Sequence, residues 1–262
     1  MLLNAAPAKR LPMELYKLAP SFALALFGLI AASTAVSAQS LSVERSLNDT
    51  PWGYVKVSEP VRAGSVSQRF ELRAGDCGSD SYGSDCDRGN ERSEVRSRKE
   101  WSPRETMWIG GSVYIGKDFQ FNPDTTHILQ VKTPGDGITG PNPQPFSLTV
   151  ADGRFAVTLG WLDDKGNQHL DRVSLGSPSQ LKGKWTDFVI GFGPKAGNGI
   201  VVYQDGRLVL NEAIRYQKPK RFYLKYGIYR STSSMVNVLY WDEMRMGRSQ
   251  DRVEIDESKP VD

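Results

Sequence analysis

Val201-Val202-Tyr203-Gln204-Asp205-Gly206-Arg207-Leu208-Val209-Leu210 sets two β-type runs on either side of Asp-Gly, a dipeptide suited to the positive-φ positions of a two-residue hairpin turn. The same grammar extends outward. Asp152-Gly153 divides residues 146–151 from 154–160, Lys165-Gly166-Asn167 marks another turn, and Pro141-Asn142-Pro143-Gln144-Pro145 reads as a loop. Further short β-type runs fall at 67–73, 92–96, 107–115, 127–133, 185–192, 222–229 and 237–246, and no stretch after Gln39 repeats apolar residues at helical spacing. The class is all-β, and this many strands suit one two-sheet antiparallel sandwich of jelly-roll type over 39–262, with 248–262 a charged, frayed tail.

Before that domain, Lys9, Arg10 and Lys17 precede an apolar run from Phe22 to Ala32, and small residues lead to Val36-Ser37-Ala38. This is the layout of a secretory presequence over 1–38, cleaved after Ala38. The run is short for a membrane span. The mature protein is therefore expected to be secreted or periplasmic and free of the membrane. Removing the presequence charges leaves 30 basic and 29 acidic residues, a balance that argues against a nucleic-acid partner. An oxidising compartment favours a disulfide between Cys77 and Cys86, which lie in a Gly/Ser/Asp loop. With only His127 and His169 and no C-x-x-C pair, no transition-metal site is expected. Asp76, Asp80, Asp85 and Asp87 supply hard oxygens that suit calcium, but their spacing matches no calcium loop, and the turn preference of Asp favours solvated turn residues. The expectation is no cofactor, with calcium as the one alternative, and a monomer.

Three runs place polar groups where a sandwich face has no structural need of them. Alternation puts Asn90, Arg92, Glu94 and Arg96 on one face. It puts Ile128, Gln130 and Lys132 on one face of the next run and His127, Leu129 and Val131 on the other, so His127 reads as a half-buried structural residue unless the strand is bulged. In the third, Tyr223, Lys225, Gly227 and Tyr229 share a face, Gly227 leaving room for a ligand to approach the backbone.

In order, R-S-E-V-R (92–96), Q-V-K (130–132) and Y-L-K-Y-G-I-Y (223–229) resemble the three strand motifs of jelly-roll polysaccharide lyases. Alginate lyases of this type carry R-S/T-E-L/V-R, then Q-I/V-H, then Y-F-K-A-G-x-Y. The surroundings G-D-C before R-S-E, H-I-L-Q, and Y-G-I-Y-R-S look closer to the lyases grouped with heparin lyase I and the glucuronan lyases. W-T-D-F-V-I-G-F, V-V-Y-Q-D-G-R-L-V-L-N and V-L-Y-W-D-E-M-R-M-G resemble back-sheet strands of concanavalin-like sandwiches.

The resemblance implies β-elimination on a uronic-acid polysaccharide. The uronate carboxylate must be neutralised while a base takes the C5 proton and an acid protonates the departing O4 oxygen. It assigns Gln130 and Arg92 to the carboxylate and Tyr229 to proton transfer, with Lys225, Lys132 or Arg92 expected to lower the tyrosine pKa from its usual value near 10. Lys132 stands where the alginate-lyase pattern has its histidine. Either Tyr229 makes both transfers, or His127 reaches the site through a bulge, or Lys132 binds substrate as a cation; the first and third together are favoured. Glu94 and Arg96 would orient Arg92 and grip neighbouring uronates, with Tyr223, Lys225 and His127 in the binding set. A non-catalytic, lectin-like module for acidic glycans is the main alternative. A glycoside hydrolase needs two flanking carboxylates, and the E-x-D-x-x-E strand of β-glucanases is missing.

Overall fold

The computed structural model describes residues 41–80, 83–122, 124–134, 144–215 and 221–255. The presequence region, residues 141–143 of the proline loop, the Asp80 side chain and the last seven residues lie outside the described residues.

The strands are β1 (Val43–Arg45), β2 (Tyr54–Val57), β3 (Ser67–Leu72), β4 (Ser79–Asp80), β5 (Gly83–Ser84), β6 (Asn90–Trp101), β7 (Met107–Ile115) and β8 (Thr125–Lys132). They continue as β9 (Phe146–Ala151), β10 (Arg154–Leu162), β11 (Gln168–Gly176), β12 (Trp185–Phe192), β13 (Gly199–Gln204), β14 (Arg207–Ala213), β15 (Phe222–Ser231) and β16 (Asn237–Gly247). Two antiparallel sheets of seven strands form a jelly-roll sandwich: a front sheet ordered β1-β6-β15-β8-β9-β10-β11 and a back sheet ordered β14-β13-β12-β7-β16-β3-β2. Among the described residues, no helix is long and apolar enough to cross a membrane.

The two Asp-Gly turns behave as their chemistry dictates. Asp205 and Gly206 take φ 48° and 74°, and Asp152 and Gly153 take 52° and 70°. Each joins directly paired strand ends, Gln204 to Arg207 and Ala151 to Arg154. Between the sheets, Val95, Val131, Leu148, Val157 and Tyr226 from the front meet Phe70, Val113, Phe188, Ile190 and Trp241 from the back. The slab also encloses Arg230, fully buried and paired with Glu91 at 2.8 Å while donating to the Met235 carbonyl at 2.6 Å. Desolvated charges need such partners.

The segment expected to fray is partly docked. Val253 is buried, Arg248 pairs with Glu105 at 2.7 Å, and Arg245 donates to the Glu254 carbonyl at 2.6 Å. Strands β1, β2 and β11 and the short β4–β5 hairpin are additions to the sequence reading. The first two are short, and β11 carries Gln168, Asp171 and Arg172 on a largely exposed ribbon, so its apolar signal is weak.

Candidate active site

Strand register lines up two rows of side chains across the outer face of the front sheet. Arg92, Tyr229, His127 and Thr149 are consecutive partners on β6, β15, β8 and β9. Arg96, Lys225, Gln130, Ser147, Thr158 and Arg172 form the neighbouring row from β6 to β11. Glu94 sits opposite Gly227, and Lys132 opposite Tyr223. The expected site residues thus converge on one face.

His127 joins them because β8 is irregular. The register shifts on both sides of Ile128, against β15 and against β9. Ile128 and Leu129 both turn into the core, so the alternation that paired Ile128 with Gln130 fails. His127 and Gln130 face the same way, as a bulge allows. The His127 ring stacks against Tyr229 with centroids 5.8 Å apart, and its Nδ1 lies 2.8 Å from Thr149 Oγ1 and 3.2 Å from Ser147 Oγ.

Gly227 also departs from expectation. At φ 132° an added Cβ would run into the Ser93 carbonyl and the Phe70 ring, so this glycine relieves crowding with β6 and the core and opens no space for a ligand.

Arg92 is held from below by the cysteine loop. Cys77 and Cys86 form the expected disulfide, their Cα atoms 5.5 Å apart. Beside it, Asp85 is fully buried and grips Arg92 through Nε and, at 2.7 Å, through Nη2, while accepting from the Gly78 amide at 3.2 Å. Burial alone would raise the Asp85 carboxyl, yet Arg92 and Arg88 hold it below the usual range. Asp85 is thus a fixed partner of Arg92, in contrast to the solvated turn residue read from sequence. Asp76 is committed too, accepting from Trp52 Nε1 at 2.9 Å and from the Arg73 amide at 2.8 Å. Among the described residues, no cluster of three His, Cys, Asp or Glu is arranged to hold a metal.

The clamped guanidinium lies over the Tyr229 ring, 4.8 Å from its centroid, and 3.6 Å from Glu94. Glu94 is a hub, only 3% exposed: Gln130 Nε2 donates to its Oε1 at 2.5 Å, and Lys225 Nζ stands 3.7 Å from its Oε2. Burial would lower the Arg92 pKa, but Glu94 and Asp85 raise it, so this cation is permanent. Lys225 and Lys132 are each brought down to about 8 by burial, Glu94 opposing and Arg92 adding to the fall. Below that pH, Arg92, Lys132 and Lys225 outnumber Glu94 and Asp85, leaving the site with a surplus of positive charge.

Tyr229 reverses its expectation. Burial pushes the phenol above its usual value and Arg92 offsets only part of this, so it is a protonated donor at neutral pH. His127 is brought down to about 3 by burial, with Lys132 and Arg172 adding repulsion, and is a neutral imidazole. Arg96 and Tyr223 occupy the margin: Arg96 pairs with Glu44 at 2.6 Å, and burial pushes Tyr223 up to about 12.

The back-sheet carboxylates are occupied elsewhere. Asp242 accepts from the Arg62 amide at 2.6 Å, and Glu243 pairs with Arg245. Neither forms a flanking acid pair. Sequence reading missed Asp85 as a partner, along with Ser147, Thr149 and Arg172. Only alternation along β9 and β11 could have pointed to these last three.

Fold and site define a β-sandwich whose front sheet carries Arg92, Lys132 and Lys225 around Glu94, with Tyr229 and His127 in the same face. The polysaccharide lyase family model matches residues 32–245, and the chain belongs to that family. It is a polysaccharide lyase. Among solved structures it is similar to the endo-β-1,4-glucuronan lyase of the fungus Trichoderma reesei, with a TM-score of 0.63 and 16% identity over 80% of this chain and 92% of that one. An alginate lyase of polysaccharide lyase family 7 gives 0.53 and 14% over 77% of this chain and 86% of that one. At such identities the likeness is one of fold. No curated protein matches by sequence.

Proposed function

We propose that this lyase cleaves a uronic-acid-containing polysaccharide by β-elimination, leaving an unsaturated uronate end, as an exported, secreted or periplasmic protein that needs no cofactor. The observation that carries the reading is the row in which protonated Tyr229 stands between Arg92 and neutral His127, with Gln130 and Lys225 in the row beside it.

A uronate carboxylate placed on Arg92 and Gln130, with Lys225 and Lys132 close by, has its charge balanced as the enolate-like form develops. His127 Nε2 has no hydrogen-bond partner among the described residues. With Nδ1–H donating to Thr149 or Ser147, Nε2 accepts the C5 proton, and the substrate's own negative charge raises the imidazole pKa when it binds. Tyr229 delivers its proton to the O4 oxygen as the C4–O4 bond breaks. The electron pair of the C5–H bond becomes the C4–C5 double bond, and the pair of the broken C–O bond leaves with oxygen. Raised Tyr229 suits donation better than the dual role read from sequence, and the bulge at Ile128 is what supplies the second group.

Product mass tests the reaction class. Oligosaccharides one water lighter than hydrolysis products support elimination; full-mass products, or a polymer bound and returned intact, defeat it.

A further inference from the structure

Behind Arg92 and Tyr229, on the core side of the same two strands, stands a second pair. Tyr229 is the register partner of Arg92, and the next partners along β15 and β6 are Arg230 and Glu91. Alternation turns these two inward, where Arg230 is fully buried and Glu91 is 2% exposed. The Arg230 guanidinium donates to Glu91 Oε2 from Nε at 3.1 Å and from Nη2 at 2.8 Å, to the Met235 carbonyl at 2.6 Å, and to Asn237 Oδ1. Glu91 Oε1 accepts from the Gly75 amide at 2.7 Å. Apolar residues of similar volume often serve equally well in such a place, so stability alone does not account for a buried ion pair here. Its position coincides with a break in the sheet. Against β6, β15 keeps its register from Lys225 to Ser231, whereas against β8 the register shifts between Tyr226 and Tyr229, at the bulge that delivers His127. Tyr229 therefore depends on β6 for its placement. Arg92 is clamped by Asp85, but the Tyr229 side chain makes no hydrogen bond among the described residues and is held by ring contacts to Arg92 and His127.

We infer that Arg230 and Glu91 are positioning residues for the elimination: joined in the core, they fix β15 against β6 one residue from Tyr229 and so hold its phenol in place beside the bulge. The inference rests on the uronate-lyase reading and adds to it a buried pair that acts through the backbone, since both side chains face away from the substrate. The carboxylate is gripped by Arg92 and Gln130, which Asp85 and Glu94 hold independently of this pair. Loss of the pair therefore falls on proton transfer, and on kcat more than on KM.

The test compares the double variant Glu91→Met/Arg230→Met, which leaves no unpaired charge in the core, with Arg230→Lys and Asn237→Ala. Each is assayed for kcat and KM on a uronate polymer that wild type cleaves, at a temperature where its thermal unfolding curve shows it fully folded. The double variant should lose at least tenfold in kcat, the effect of about half an ångström of misplacement, with KM within threefold of wild type. Arg230→Lys keeps the charge but not the fork, and should recover part of that kcat. Asn237→Ala removes an acceptor of Arg230 and the donor to the Gln120 carbonyl but leaves the link to Glu91, so it should lower Tm while kcat stays within twofold. A folded double variant with kcat within twofold of wild type would overturn the inference, as would a loss carried mainly by KM, or a kcat loss in Asn237→Ala equal to that in Arg230→Lys. If the double variant does not fold, Arg230→Lys decides: a kcat at least threefold below wild type with KM unchanged supports the positioning role, and an unchanged kcat overturns it. All these failures leave wild-type elimination intact and the lyase reading standing. A wild-type protein that eliminates no uronate polymer overturns both.

Discussion

Replacing Asp85 with Asn tests how the disulfide loop serves the chemistry. The substitution keeps the side-chain shape but removes the charge that faces Arg92, whose guanidinium is buried and doubly bonded to it. Removing one member of a buried pair costs about 3–5 kcal/mol. Glu94 at 3.6 Å still balances Arg92 and the amide oxygen can still accept, so the lower end applies, about 3 kcal/mol. For a domain this size that is a fall in Tm of roughly 6–12 °C. Activity should fall further than stability implies, because Arg92 would lose its orientation over Tyr229; an ångström of misplacement costs about 100-fold. Thermal unfolding and steady-state elimination at a temperature where the variant is fully folded separate the two effects. A variant that is destabilised yet keeps kcat/KM within threefold of wild type would refute the reasoning, leaving the Asp85 clamp a device of folding alone.

Removing the disulfide with paired Cys77→Ser and Cys86→Ser should lower stability by about 3 kcal/mol in the chain-entropy picture and reproduce part of the Asp85→Asn activity loss, read by the same two assays. Since Lys132 and Lys225 sit near 8 in the fold, KM for a uronate polymer should climb as pH rises past about 8 and the two lysines lose charge; Lys225→Met should flatten that climb. His127 binds a proton in the unfolded chain near pH 6.5 but in the fold only near 3, so the unfolded state holds the extra proton between these values. Its contribution favours the fold above about 6.5 and is lost as pH falls toward 3, and denaturant titrations of His127→Gln should show a smaller acid loss than wild type. Gly227→Ala should cost about 3 kcal/mol, seen in the denaturant midpoint, because its Cβ meets the Ser93 carbonyl and Phe70 at a φ that L-residues avoid.

Strands β7, β9 and β12 were legible residue for residue, because each is a dense β-type run with turn chemistry at its ends. Alternation, which holds wherever pairing is regular, placed Arg92 with Glu94, Gln130 with Lys132 and Lys225 with Tyr229, each set on one face of its own strand, and the resemblance to the lyase motifs joined the three sets into one site. The failures have a shared cause. Alternation is blind to the bulge at Ile128, which brings His127 to the site, and to the pairing of Asp85 with Arg92, seven residues apart in sequence but joined across a folded loop. Tyr229 was misjudged in its proton affinity for a related reason. Neighbouring cations are visible in a motif, whereas the burial that outweighs them is a property of the assembled sheets.

Ultraviolet absorbance of wild type and Tyr229→Phe, incubated with glucuronan, alginate, heparan-type chains and acidic bacterial exopolysaccharides, bears most directly on whether this face performs β-elimination. A rise with one polymer, from the C4–C5 double bond, that falls at least a hundredfold in rate in Tyr229→Phe is the predicted result. A rise of equal rate in both proteins would contradict the role of Tyr229, and no rise on any uronate polymer would contradict the reaction itself.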